Sequence, residues 1–274
     1  MSRIDVKKTY KLYINGAFPR SESGRVYEVK NSKGAFIANP ALASRKDLRD
    51  SVVAARGAFS KWSGSTSYLR GQIIYRIAEM LEGRREQFEV ELKATGDKTK
   101  VSDAIDLIVW YAGWSDKLSA LNGVTNPVSG PFYNFTTPEA LGVVGIISKP
   151  NFLEFIDSLM SAIVSGNTAV TVAPDALAIP AMSFAEVLAT SDLPAGVINI
   201  LTGKVDELAP WMASHMDIDG LDISGAKKVA ELKIAGAENL KRIHSFSNLK
   251  NPARILAFME AKTVWHTKIG RAHV

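Results

Sequence analysis

The stretch SKPNFLEFIDSLMSAIVSGNT, residues 148–168, lies between two short apolar runs, LGVVGII at 141–147 and AVTV at 169–172. Its interior has apolar residues at helical spacing, which predicts a helix over 152–165. The Lys-Pro-Asn corner before it and the Gly-Asn-Thr corner after it then read as the two ends of one crossover between buried strands. The same rhythm continues: strand 169–172, helix 179–190, strand 197–201, helix 204–214, strand 218–223, helix 226–236. Short apolar strands alternating with helices predict an α/β fold, a Rossmann-like parallel sheet with helices on both faces. In such sheets ligands gather beyond the carboxyl ends of the strands, so the corner at 148–151 faces the expected site. The Gly-Asn-Thr corner only turns the chain.

Ahead of this unit the grammar differs. Residues 10–16 (YKLYING) and 24–29 (GRVYEV) suggest a strand pair and an edge meander. An N-terminal helical layer follows in three pieces. The first starts after the N-cap Ser44 and turns Leu48, Val52, Ala55, Phe59 and Trp62 inward. The second carries Leu69, Ile73, Ile77, Met80 and Leu81, then Phe88 and Leu92 toward a stop at Gly96. The third runs over 102–121 with Ile105, Ile108, Ala112, Leu118 and Leu121 inward. Residues 131–138 (PFYNFTTP) read as an exposed β-ribbon, part of an arm over about 124–140.

Composition narrows the classes. The 274 residues are 46% hydrophobic and 22% charged, suited to one globular domain over 1–267. No apolar run reaches the roughly 18 residues of a spanning helix, and the polar start does not resemble a secretory signal, so no membrane partner and a cytoplasmic location are expected. There is no cysteine, hence no disulfide, thiolate metal site or thiol nucleophile in this sequence. The net charge of +5 comes without a dense basic stripe and interleaved aromatics, so no nucleic-acid partner is expected. His215, His244 and His266 share no metal-ligand spacing, Ser148 and Ser224 have no triad partners nearby, and Glu154 and Asp157 read as a solvated helix face. The last residues, KIGRAHV at 268–274, resemble the translation of a sequencing-library adapter and are expected to be non-native.

The segments EALGVVGIIS (139–148), Asn151-Phe152, GNT (166–168), LPAGVINI (193–200), HMDID (215–219) and NLKR (239–242) occur in the order and spacing of aldehyde dehydrogenases. The chain resembles the nucleotide-binding half of that superfamily from about Leu12 to Arg242. The resemblance implies an NAD or NADP coenzyme, a Cys nucleophile, a Glu general base, and an Asn that holds the oxyanion, matched here by Asn151. Asn151 is equally suited to capping a helix. The resemblance places cofactor contacts at Ser148, Asp175, Ser224 and Gly225, although Gly225 also reads as a plain tight turn.

The departures point the other way. Val172 stands where the family has a ribose-binding Lys, Asp175 where it has Glu, Ala230 where it has a second turn glycine, and Phe246 where the general-base Glu would fall. The family's Cys lies in a second domain beyond this point, for which the remaining residues leave no room. Two functions follow from the resemblance. One is a non-catalytic domain like the shortened second copy in family-16 type aldehyde dehydrogenases, closed by EAKTVWH at 260–266, with coenzyme binding weak or lost. Its partners would be a homo-oligomer or a catalytic aldehyde dehydrogenase domain. The other is the N-terminal cofactor-binding part of an active enzyme truncated before its Cys domain.

Overall fold

The computed structural model describes residues 4, 6–31 and 33–267, so the expectation for 268–274 lies outside the described residues. Two short strands, β1 (Val29–Lys30) and β2 (Phe36–Ala38), precede helices α1 (Arg45–Ser63), α2 (Ser67–Glu82), α3 (Arg85–Thr95), α4 (Val101–Ala112) and α5 (Leu118–Asn122). Strands β3 (Val124–Asn126) and β4 (Phe132–Ala140) lead into the alternating unit. That unit runs β5 (Val143–Ile146), α6 (Phe152–Ile163), β6 (Thr168–Ala173), α7 (Ala178–Ala189), β7 (Ile198–Thr202), α8 (Val205–Ser214), β8 (Gly220–Asp222), α9 (Val229–Ala237) and β9 (Arg242–His244). The chain closes with α10 (Pro252–Leu256) and β10 (Met259–Thr267).

The parallel sheet expected from 141–236 is present, with order β7-β6-β5-β8-β9 and all neighbours parallel, and β9 is a fifth strand beyond the four expected. From β5 the chain steps outward to β6 and β7, then returns to the other side of β5 as β8. The switch in direction therefore opens a crevice at the carboxyl ends of β5 and β8. Alternate strand residues face opposite layers. Val144 and Ile146 join the core under α2, α4, α6 and α7, while Val143 and Ile147 join the core under α1, α8 and α9.

The Gly-Asn-Thr corner is a fastening point as well as a turn. Gly166 adopts φ +102°, and the fully buried Asn167 accepts from Gly142 N at 2.8 Å and donates to Phe258 O at 2.8 Å. At the start of α1, Ser44 and Asp47 form a reciprocal capping box, with Ser44 N to Asp47 Oδ2 at 2.8 Å.

Several expectations are corrected. The second helix breaks at Gly83 into α2 and α3, and the third breaks after Ala112, leaving α5 as a single short turn of helix. Leu69 and Leu121 are exposed rather than core, because each sits where the apolar stripe outlasts the packed helix. Segments 10–16 and 24–29 do not pair with each other. Tyr13 instead exchanges backbone bonds with Ile200 at the edge of β7, and Val26 bridges Ala41.

The ribbon at 131–138 is not an exposed edge: β4 is the middle strand of a sheet ordered β10-β4-β3, with β10 paired along all nine of its residues. Asp157 is fully buried rather than solvated, since α6 is covered on one side by the sheet and on another by α4 and α10. Among the described residues, no helix is long and apolar enough to cross a membrane.

Candidate functional site

A cleft of about 690 Å³ lies at the switch point, lined by Ser148, Asp175 and Gly225 together with Lys204, Asp206 and Lys227. Three of the expected cofactor positions thus meet in one place. Gly225 donates its backbone N–H to Ile147 O at 2.8 Å, drawing the turn after β8 against the turn after β5. A Cβ at this position would lie 1.9 Å from Ser148 O, so the glycine is required by backbone-to-backbone approach. Ser148 is 2% exposed, and its buried Oγ has no hydrogen-bond partner within the described residues, an unusual state for a hydroxyl at a cleft wall.

The charges here are mixed. Asp175 begins a 3₁₀ turn ahead of α7, and Asp206 and Glu207 occupy the first turn of α8. Burial pushes the Asp175 carboxyl above its ordinary range and Asp206 adds to this, against the pull of Lys204 and Lys227. The two lysines carry no motif in the sequence, and only the folding of their loops toward one crevice reveals them. Val172, the position of the resemblance's ribose-binding Lys, is fully buried in the core and offers no donor.

Ser224 is directed away from this cleft. Its hydroxyl donates to Asp222 Oδ1 at 2.5 Å and accepts from Phe246 N at 2.9 Å, which ties the β8 turn to the segment after β9. The Phe246 ring stacks on His244 and lies 5.0 Å from the Arg254 guanidinium.

Asn151 caps α6, its Oδ1 accepting from Glu154 N at 3.2 Å. Its amide nitrogen is spent inside the protein, donating to Asp97 Oδ1 at 3.2 Å and Thr99 Oγ1 at 3.1 Å. Asp97 also receives the Phe152 backbone N–H at 2.6 Å. A carboxylate from the α3–α4 loop therefore sits on the helix N-terminus where a ligand anion would be stabilised. The Gly96 turn aims it there: at φ +80° it ends α3 in the left-handed conformation.

Deeper in the same region, Arg254 of α10 reaches between α6 and β8. It bonds Asp157 by a short contact and Asp222 at 2.6 Å, and all three side chains are at most 1% exposed. Asp157 further accepts from Tyr111 Oη at 2.8 Å and Lys250 N at 3.2 Å. Burial raises the Asp157 carboxyl against the pull of Arg254. No sequence spacing linked these residues, which lie on four separate elements and one loop. Among the described residues there is no His/Cys/Asp/Glu group fit for a metal.

A doubly flanked parallel sheet with its crevice at the β5/β8 switch point defines a doubly wound α/β domain. The profile of the Aldehyde dehydrogenase family matches residues 18–268, and the chain belongs to that family. Human retinal dehydrogenase 2 is 32% identical over 269 residues, covering 93% of this chain and 51% of the relative. Human mitochondrial 10-formyltetrahydrofolate dehydrogenase is 30% identical over 270 residues, covering 92% of this chain and 29% of the relative. Among solved structures, a mutant aldehyde dehydrogenase C from Pseudomonas syringae with NAD+ and octanal superposes with a TM-score of 0.78 at 27% identity, covering 89% of this chain and 51% of that one. An NAD+ complex of a Bacillus cereus aldehyde dehydrogenase gives 0.76 at 27% identity, covering 86% and 50%. The chain thus spans about half the length of retinal dehydrogenase 2 and of both solved structures.

Proposed function

We propose that this chain is a non-catalytic aldehyde-dehydrogenase-like domain that supports assembly of a larger aldehyde dehydrogenase, with coenzyme binding weakened or lost. The observation that carries the reading is the Asp97 latch: the Asn151 amide, the position matched to the family's oxyanion-holding Asn, and the Phe152 N–H beside it already hold a carboxylate of the chain itself. A half-buried carboxylate there repels a developing negative charge.

The coenzyme cleft fits a dinucleotide poorly. Val172 cannot donate to a ribose, Asp175 has a shorter reach than Glu, and Asp206 and Glu207 set negative charge beside the expected diphosphate. The return of the chain after β9 adds support. It locks Arg254 into α6 and β8, then lays β10 along β4, so the half-fold is closed by its own residues. The arm formed by β10, β4 and β3 exposes Phe132, Tyr133 and Trp265, which suits it to a second copy or to a catalytic aldehyde dehydrogenase domain.

A second reading, the cofactor-binding part of an active NAD- or NADP-dependent enzyme, draws on one observation, the buried Ser148 hydroxyl left open at the cleft wall. Calorimetric titration with NAD and NADP separates the two. The first reading expects affinities no tighter than about the millimolar range, since each lost ribose hydrogen bond removes about 1 kcal/mol. Micromolar binding of either coenzyme overturns it in favour of the second.

A further inference from the structure

Away from the crevice, a groove of about 410 Å³ runs between the N-terminal segment and the turn at 20–26. Its walls carry Lys7, Lys8, Lys11, Arg20 and Arg25, and among the described residues no carboxylate lines it. The sequence scatters these cations over nineteen positions, which hides the cluster from any reading of local charge runs.

The groove is held open by backbone bonds. Ala41 N donates to Tyr10 O at 3.0 Å on one side, and Leu42 N donates to Arg25 O at 2.9 Å on the other, so both walls are fastened to the segment that forms the floor. The cations are only partly neutralised. Lys8 meets Glu186 at 2.7 Å and Arg25 meets Glu207 at 3.3 Å, both partners outside the lining and the second pair well exposed. Lys11 is half-buried and Arg20 exposed, and neither has an ion pair or side-chain hydrogen bond among the described residues. Cations without carboxylate partners leave this wall with positive charge open to an anionic ligand.

The floor is apolar: Phe36 is 43% and Val26 55% exposed. Stacking of a nucleic acid strand needs successive open aromatic faces. Here the second aromatic of the lining, Tyr10, already lies under the Lys8 ammonium at 5.0 Å. Cations together with the apolar surface of Phe36 and Val26 instead match carboxylates alternating with branched apolar side chains.

We propose that this groove docks an acidic segment of a partner protein, one that carries aliphatic residues between its carboxylates. The inference does not depend on whether the coenzyme cleft is active.

The test is fluorescence anisotropy of the full chain with a labelled peptide of alternating glutamate and leucine. Oligothymidine and tripolyphosphate serve as competing probes. The peptide should bind and weaken steeply with salt. Lys11→Glu with Arg20→Glu should weaken it by about tenfold or more, and Arg20→Glu alone, on an exposed side chain that cannot disturb folding, by a smaller but clear factor. Phe36→Ser should also weaken the peptide, by a few-fold, while leaving tripolyphosphate unaffected. Equal weakening by the remote reversal of Lys61 and Lys233 to Glu would reduce the effect to net charge and overturn the proposal. So would absence of peptide binding, or tighter binding of oligothymidine than of the peptide.

Discussion

Replacing Arg254 by Leu tests how the half-fold is closed. The guanidinium is 1% exposed and lies between Asp157 and Asp222, themselves at 0% and 1%. The substitution keeps apolar volume but leaves two carboxylates buried without their cation. Stripping one partner from a buried ion pair costs about 3–5 kcal/mol. At about 2–4 °C per kcal/mol for a chain of this size, the melting temperature should fall by roughly 6–20 °C.

The loss should depend on pH in a defined direction. Asp157 already has a raised folded-state carboxyl pKa because burial disfavours its charge, and Arg254 is the largest influence holding it down. Without Arg254 it rises further. A carboxyl whose folded pKa exceeds its unfolded value favours the folded state most below the unfolded pKa, and that contribution is lost as pH rises through the folded one. The gap between variant and parent should therefore be largest near neutrality and narrow as pH falls toward the unfolded-state carboxylate range. Urea unfolding followed by tryptophan fluorescence at several pH values measures both quantities. Adding Asp157→Asn and Asp222→Asn to Arg254→Leu should recover much of the stability. A neutral-pH loss under about 1 kcal/mol, or a gap that widens in acid, would refute the reasoning.

Three other outcomes are expected. Gly225→Ala should cost about 1–3 kcal/mol in the same unfolding assay, because its Cβ would lie 1.9 Å from Ser148 O, and an unchanged midpoint would show that the two turns can part freely. Asp97→Ala removes the acceptor of Phe152 N and of the Asn151 amide, and should lower stability by about 1–3 kcal/mol, read from the denaturant midpoint, while Asp97→Asn, which keeps an acceptor, should lose less. Light scattering should find dimers or larger species that Trp265→Lys shifts toward monomer, the Trp being 62% exposed on the arm; a monomer at high concentration before substitution removes the arm as an interface.

The alternating unit was legible because its signals are local. Buried parallel strands need continuous apolar runs such as 143–146, and the turns between them need residues such as Gly166, whose positive φ a side chain would oppose. The N-cap at Ser44 followed from the same local grammar. What escaped is non-local. Asp157 lies three residues from Glu154 and has the look of a wet face, but the neighbours that bury it come from α4 and α10. The ribbon at 131–138 looked like an edge because its partner, β10, comes from the far end of the described chain. At the site, the corner that begins at Ser148 was legible from the strand rhythm, and Asp175 and Gly225 through the family resemblance, whereas Asp97, Lys204 and Lys227 have meaning only after their loops converge.

The pairing of β4 with β10 also fixes an order of events. Each residue of β4 must wait for a partner synthesised in the last part of the described chain, so the arm cannot complete its sheet while the ribosome is still making the parallel core. Until then Phe132, Tyr133 and Phe135 stand on a strand supported by the three residues of β3 and by α5. That interval is when an unfinished edge seeks other strands.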